Sequence, residues 1–117
     1  MQCRTPPMDA VTLMNKPYAT EEPAAAAIEA PGATVLEFGT SWCGYCQAAQ
    51  PLIEAALGDR PSLQHLKVED GKGRPLGRAF RVKLWPTLIF LRDGKETARV
   101  VRPQSEAQIR EALSQIV

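Results

Sequence analysis

The chain contains no apolar run near the roughly 18 residues that a membrane-spanning helix needs. It also has no surplus of either charge: 14 Lys and Arg stand against 13 Asp and Glu, a formal net charge of +1. Aromatic residues make up only 6 % of it, and no stretch interleaves them with basic residues. These absences give no electrostatic case for a nucleic-acid or membrane-surface partner. Histidine occurs once and cysteine three times. An odd, small cysteine count does not make a closed disulfide framework, so the fold has to rest on its core. With 117 residues, 44 % of them hydrophobic, one domain can supply that core. No internal repeat or low-complexity linker interrupts it. The first residues, "MQCRTPPMDAVTLMNK", place Pro6, Pro7 and Asp9 where a secretory signal would carry its apolar stretch, so a cytoplasmic location is expected.

Residues 1–10, polar and broken by two prolines, are expected to form a flexible tail, and residues 11–117 the domain. "VTLMN" is a candidate first strand. In "TEEPAAAAIEA", Thr20 is a candidate N-cap, acids occupy the first turn and alanines follow, which predicts a helix ended by Pro31 and Gly32. "ATVLEFGT" is a short apolar strand. After it, residues 43–57 carry Ala48, Leu52, Ile53, Ala56 and Leu57 at helical spacing, with Gly58 as a stop and Pro51 as an internal kink. "SLQHLKVE" reads as a strand and "GRPLGRAFRV" as a loop with a short helix. "TLIFLRDGKETARVV" reads as two strands joined at Asp93-Gly94, and "SEAQIREALSQIV" as a capped amphipathic helix. Strands alternating with helices, then a hairpin and a last helix, predict an α/β domain with a mixed sheet between layers of helices.

The chemistry concentrates in "TSWCGYCQ", residues 40–47. A CxxC pair in a reducing compartment is catalytic or metal-binding more often than structural. Cys43 falls at the start of the predicted helix, where unsatisfied N–H groups and the helix dipole favour a thiolate. It is therefore the candidate attacking thiol. Cys46, one turn further in and more shielded, suits the resolving role. Zinc held by Cys43, Cys46, Cys3 and His65 is a weaker reading, because a structural site normally draws on a second close pair of ligands and the sequence has none. Cys3 is read as a bystander thiol. Glu37 is an acid inside an apolar strand. Burial penalises its charged form, so its pKa is expected to be raised.

From about residue 11 onward the chain resembles the thioredoxin family. Trp42 before Cys43 matches the family's WCxxC, Pro51 its kinking helix proline, "WPT" at residues 85–87 its cis-proline segment, and "RDGK" its final hairpin. The resemblance implies the thioredoxin fold, a central mixed sheet with helices on both faces. It also implies a thiol–disulfide oxidoreductase that works through Cys43 and Cys46 without a bound organic cofactor or metal. Protein disulfides would be its substrates, a separate reductase its electron donor, and the monomer its working form. Pro86 would carry a cis bond, which is essentially a proline feature, with Trp42, Trp85 and Pro86 at the substrate site. Glu37 would exchange a proton with Cys46, and His65 would fall where many members have a lysine. The chain departs from the family pattern at Gly44 and Tyr45, where the reducing members usually carry Gly-Pro. It departs again at Gly39, in place of a common tryptophan, and at Trp85 and Arg102, both bulky where smaller residues are usual. These departures keep open an isomerase-like or oxidase-like activity, or a binding module, and suggest a restricted set of partners.

Overall fold

All seven residues of Ala33–Gly39 are buried, as a strand covered on both faces must be. The structure, a computed structural model, describes residues 16–58 and 60–117. The expected tail at residues 1–10, the "VTLMN" strand and Cys3 lie outside the described residues. The buried strand, β1, pairs in parallel with β2 (Gln64–Glu69) and antiparallel with β3 (Thr87–Arg92). β3 in turn pairs antiparallel with β4 (Lys95–Val101), giving the order β2-β1-β3-β4. Beyond β2, Ala19 adds one parallel bridge to Val68. The helices are α1 (Ala25–Ile28), α2 (Gly44–Leu57), α3 (Pro75–Ala79) and α4 (Glu106–Leu113).

The two-residue period of the strands sorts their side chains into two cores. On one face Val35, Leu88 and Phe90 pack with Ile53 and Leu57 of α2 and with Ile109 and Leu113 of α4. On the other, Leu36, Phe38, Ile89 and Leu91 pack with Ile28, Val68 and the partly buried Leu76 and Phe80. Each such fully buried side chain contributes about 1.5–3 kcal/mol. The mixed sheet with helices on both sides is the expected fold. Asp93 and Gly94, both at positive φ, form the predicted tight turn between β3 and β4. Ser105 caps α4, its Oγ accepting from the Gln108 N–H at 3.3 Å.

Two local expectations are corrected. The first helix is a single turn, and its N-cap is Ala24 rather than Thr20. Pro23 keeps the residue before it out of the helical region. Glu22 is instead tied to α3 by accepting the Leu76 N–H at 2.8 Å, and the Thr20 carbonyl accepts from Arg74. On α2, Ala49 is buried where Ala48 was expected, and Ala48 faces outward.

Candidate active site

The end of β1 and the start of α2 place the cysteine pair. Cys43 is the extended N-cap residue of α2, and its Sγ accepts the Cys46 N–H at 3.2 Å. A sulfur that takes up an otherwise unused helix N–H is held where negative charge is favoured. Both cysteines are free thiols. Cys46 is 1 % exposed, against 9 % for Cys43. The Cys46 thiol is pushed up to about 12, first by burial and then by its hydrogen bond with Cys43, against the lowering influence of the Thr40 backbone and the Tyr18 hydroxyl. The pair is therefore asymmetric, with the inner sulfur held as a thiol across neutral pH. In a Cys3→Ser background, iodoacetamide at neutral pH is expected to label Cys43 and to leave Cys46 unmodified until the protein is denatured. Peptide mass spectrometry reads which cysteine carries the label.

β1 alternation turns Glu37 to the same face as Val35, beneath α2. Its carboxylate is fully buried and fully engaged. Oε2 accepts from the Tyr18 hydroxyl at 2.5 Å and from Gln50 Nε2 at 2.9 Å, and Oε1 lies 2.8 Å from His65 Nε2. Lys67, paired across from Glu37 on β2, donates to Gln50 Oε1 at 2.7 Å and sits over the Tyr18 ring. This network reverses the expected direction of the Glu37 pKa. Burial works to raise it, but the hydrogen bond and charge of His65, the charge of Lys67 and the Tyr18 hydrogen bond together hold it below the ordinary carboxylate value. An ionised carboxylate only accepts, so the His65 Nε2 carries the proton between them.

Sequence reasoning missed three members of this network. His65 and Lys67 alternate along "QHLKVE" on the face that Glu37 occupies, a period-2 signal that was available for Lys67. Tyr18 and Gln50 gave no such signal. Tyr18 arrives through the bridge at Ala19, whose N–H donates to the Lys67 carbonyl and whose carbonyl accepts from the Glu69 N–H. The space it needs comes from Gly39. A Cβ there would lie 2.6 Å from Cys46 Sγ and 2.8 Å from the Tyr18 hydroxyl oxygen. The departure at Gly39 thus has a steric reason: the phenol and the inner sulfur converge on the room that a side chain would take.

The outer rim is aromatic. Trp42 and Tyr45 are exposed, at 73 % and 60 %. The Trp42 and Trp85 rings meet edge to face at 5.7 Å, which brings the 85–87 segment to the cysteine loop. Trp85 is fixed by its Nε1, which donates to Asp70 Oδ2 at 2.8 Å. The Trp85–Pro86 peptide is cis, and Pro86 is buried. Arg102 stacks on the Tyr45 ring at 3.7 Å and donates from Nε to the Trp85 carbonyl at 2.8 Å. Among the described residues, no group of three or more His, Cys, Asp or Glu is placed to hold a metal ion, and no helix is long and apolar enough to cross a membrane.

A family model described as Thioredoxin matches residues 18–115. Among curated relatives, thioredoxin H-type 1 from Nicotiana tabacum is 32 % identical over 79 residues, which are 68 % of this chain and 63 % of that protein. Thioredoxin from Chlamydia trachomatis is 38 % identical over 73 residues, 62 % of this chain and 71 % of the relative. Among solved structures, thioredoxin 2 from Pseudomonas aeruginosa PAO1 in its reduced form superposes with a TM-score of 0.74 at 55 % identity, covering 86 % of this chain and 94 % of that one.

Proposed function

The chain belongs to the thioredoxin family, and from that premise we propose that it is a thiol–disulfide oxidoreductase that reduces protein disulfides. The observation that carries this reading is the asymmetry of the dithiol. Cys43 Sγ rests on the helix N-terminus, while Cys46 is buried and held as a thiol.

Cys43 attacks a substrate disulfide, forming a mixed disulfide and releasing one substrate sulfur as a thiolate. The charge and hydrogen-bond acceptor of the Cys43 sulfur, which raise Cys46 in the free dithiol, are lost once that sulfur is covalently engaged. Cys46 then ionises more readily and displaces the substrate, so the order of the two steps is built into the pair. Glu37 is the acid–base group of this site, with its charge held by His65 and Lys67. Trp42, Trp85 and Pro86 form the docking rim. The Trp85 carbonyl, an acceptor for an incoming extended segment, is already shared with Arg102, which supports a restricted set of partners. Electrons come from a separate reductase, the Cys43–Cys46 pair is itself the redox group, and no other cofactor is required. The working form is a cytoplasmic monomer that acts on disulfide-containing proteins and engages neither nucleic acid nor membrane.

The test is reduction of insulin by dithiothreitol, which the protein is expected to accelerate and the Cys43→Ser variant not to. Trp42 fluorescence in thiol buffers gives the potential of the pair. A value near about −270 mV fits a reductant, and one near about −180 to −120 mV overturns the reductant assignment in favour of an isomerase-like or oxidising catalyst.

A further inference from the structure

Resolution of the mixed disulfide requires a thiolate at a sulfur that has almost no contact with solvent. Two groups near Cys46 stabilise that charge, the Thr40 backbone and the Tyr18 hydroxyl. In the dithiol the Tyr18 proton is committed elsewhere, to Glu37 Oε2 at 2.5 Å. That commitment is not exclusive, because Oε2 also accepts from Gln50 Nε2 at 2.9 Å and Oε1 is engaged by His65. Glu37 would remain satisfied if the phenol turned away. Rotation about the C–O bond moves only a hydrogen, and the empty position above Gly39 lets the phenol oxygen and Cys46 Sγ approach the same point.

We propose that the Tyr18 hydroxyl is a two-position donor, bonded to Glu37 in the dithiol and turned to the Cys46 sulfur during resolution. The inference rests on the reading of Cys46 as the resolving thiol. A cavity of about 300 Å³ beside the pair is lined by Tyr18, Thr40, Cys46, Gln50 and Lys67 among others. Thr40 Oγ1 is buried and has no hydrogen-bond partner among the described residues, so a polar occupant is called for, and the cavity has room for water. In the step, Tyr18 turns its hydrogen from Glu37 Oε2 to the sulfur, and Cys46 gives its proton through water in this cavity to the carboxylate oxygen so freed, from which it later returns to water. The thiolate attacks Cys43 Sγ, and the Cys43–Cys46 bond forms as the bond from Cys43 to the substrate sulfur breaks. The substrate sulfur leaves with the electron pair and takes a proton from water. The protein dithiol is oxidised and the substrate disulfide reduced, with Tyr18 a phenol before and after. The charged and titratable groups that face the sulfur or the network beside it are Cys43 at the N-cap of α2, Glu54 on α2, Glu37 on β1, His65 and Lys67 on β2, and Lys16 before the Ala19 bridge.

The experiment is stopped-flow reaction of the Cys3→Ser protein with 5,5′-dithiobis(2-nitrobenzoate) over a range of pH. Attack by Cys43 releases the first thionitrobenzoate, and resolution by Cys46 releases the second. Tyr18→Phe is expected to leave the first phase unchanged, to slow the second by about tenfold or more, and to move its pH midpoint upward. An unchanged second phase with an unchanged pH profile overturns the proposal. Absence of the second phase in the unsubstituted protein would instead overturn Cys46 as the resolving thiol. If Tyr18→Phe does not fold, the protein with native Tyr18, alkylated at Cys43, decides. The Tyr18 ζ-carbon resonance should shift with the same pH midpoint as Cys46 Cβ, and a resonance that stays flat through that midpoint rules the switch out.

Discussion

The Cys46→Ser protein is expected to stall with its substrate attached. Serine preserves the size and burial of the side chain, but its hydroxyl does not act as a thiolate, so Cys43 attacks and nothing displaces the adduct. Turnover in the insulin assay should fall to the uncatalysed background, while a covalent adduct at Cys43 accumulates and is released by dithiothreitol. Intact-mass spectrometry of the protein purified from cells reads this directly and identifies the partners it holds. Cys43→Ser in the same experiment should carry no adduct. If the two variants behaved alike, or if the adduct appeared on Cys46, the division of labour between the sulfurs would be wrong.

Replacing Glu37 should have the largest effect on stability. Glu37→Leu keeps the volume but removes the acceptor for Tyr18, Gln50 and His65 at once. Removing one partner of a buried, hydrogen-bonded ionic group leaves the others unpaired, at a cost of about 3 kcal/mol. For a domain of this size that lowers Tm by on the order of 10–20 °C. The sign of the pH dependence follows from the depressed carboxyl. Its stabilising contribution is fully present above the ordinary carboxylate value and is lost as the pH falls through the lower, folded value. Urea denaturation should therefore show a large gap between the native sequence and Glu37→Leu at neutral pH, closing in acid. A gap that widens on acidification would mean that Glu37 is held protonated rather than ionised.

The reversal at Glu37 shows where sequence reasoning stops. An acid in an apolar strand reads correctly as buried, and burial alone raises a carboxyl. The direction depended on charges supplied by a neighbouring strand, and neither the parallel register of β2 on β1 nor the pairing of Glu37 with Lys67 is written in either strand alone. The same limit explains Tyr18. It precedes all the strongly periodic segments and reaches the site through a single bridge at Ala19, a contact with no local pattern. The first helix failed for a related reason. Its alanines favour a helix, but Glu22 and the Thr20 carbonyl tie the preceding segment to α3 and Arg74 and keep it out of the helix.

The sequence by itself determined what local physics dictates. The strand-like run 33–39, the helix-initiating position of Cys43, the spacing that sets Cys46 one turn behind it, the Asp93-Gly94 turn and the Ser105 cap each follow from residues close together in the chain. Only the tertiary structure decided which long-range partners those residues meet: Tyr18 in the space left by Gly39, His65 and Gln50 on the Glu37 carboxylate, Trp85 edge-on to Trp42, and Arg102 on the Trp85 carbonyl. A hydrogen bond or a buried charge takes its energy from the group opposite it, and in this domain those groups come from segments 13 to 43 residues away in the chain.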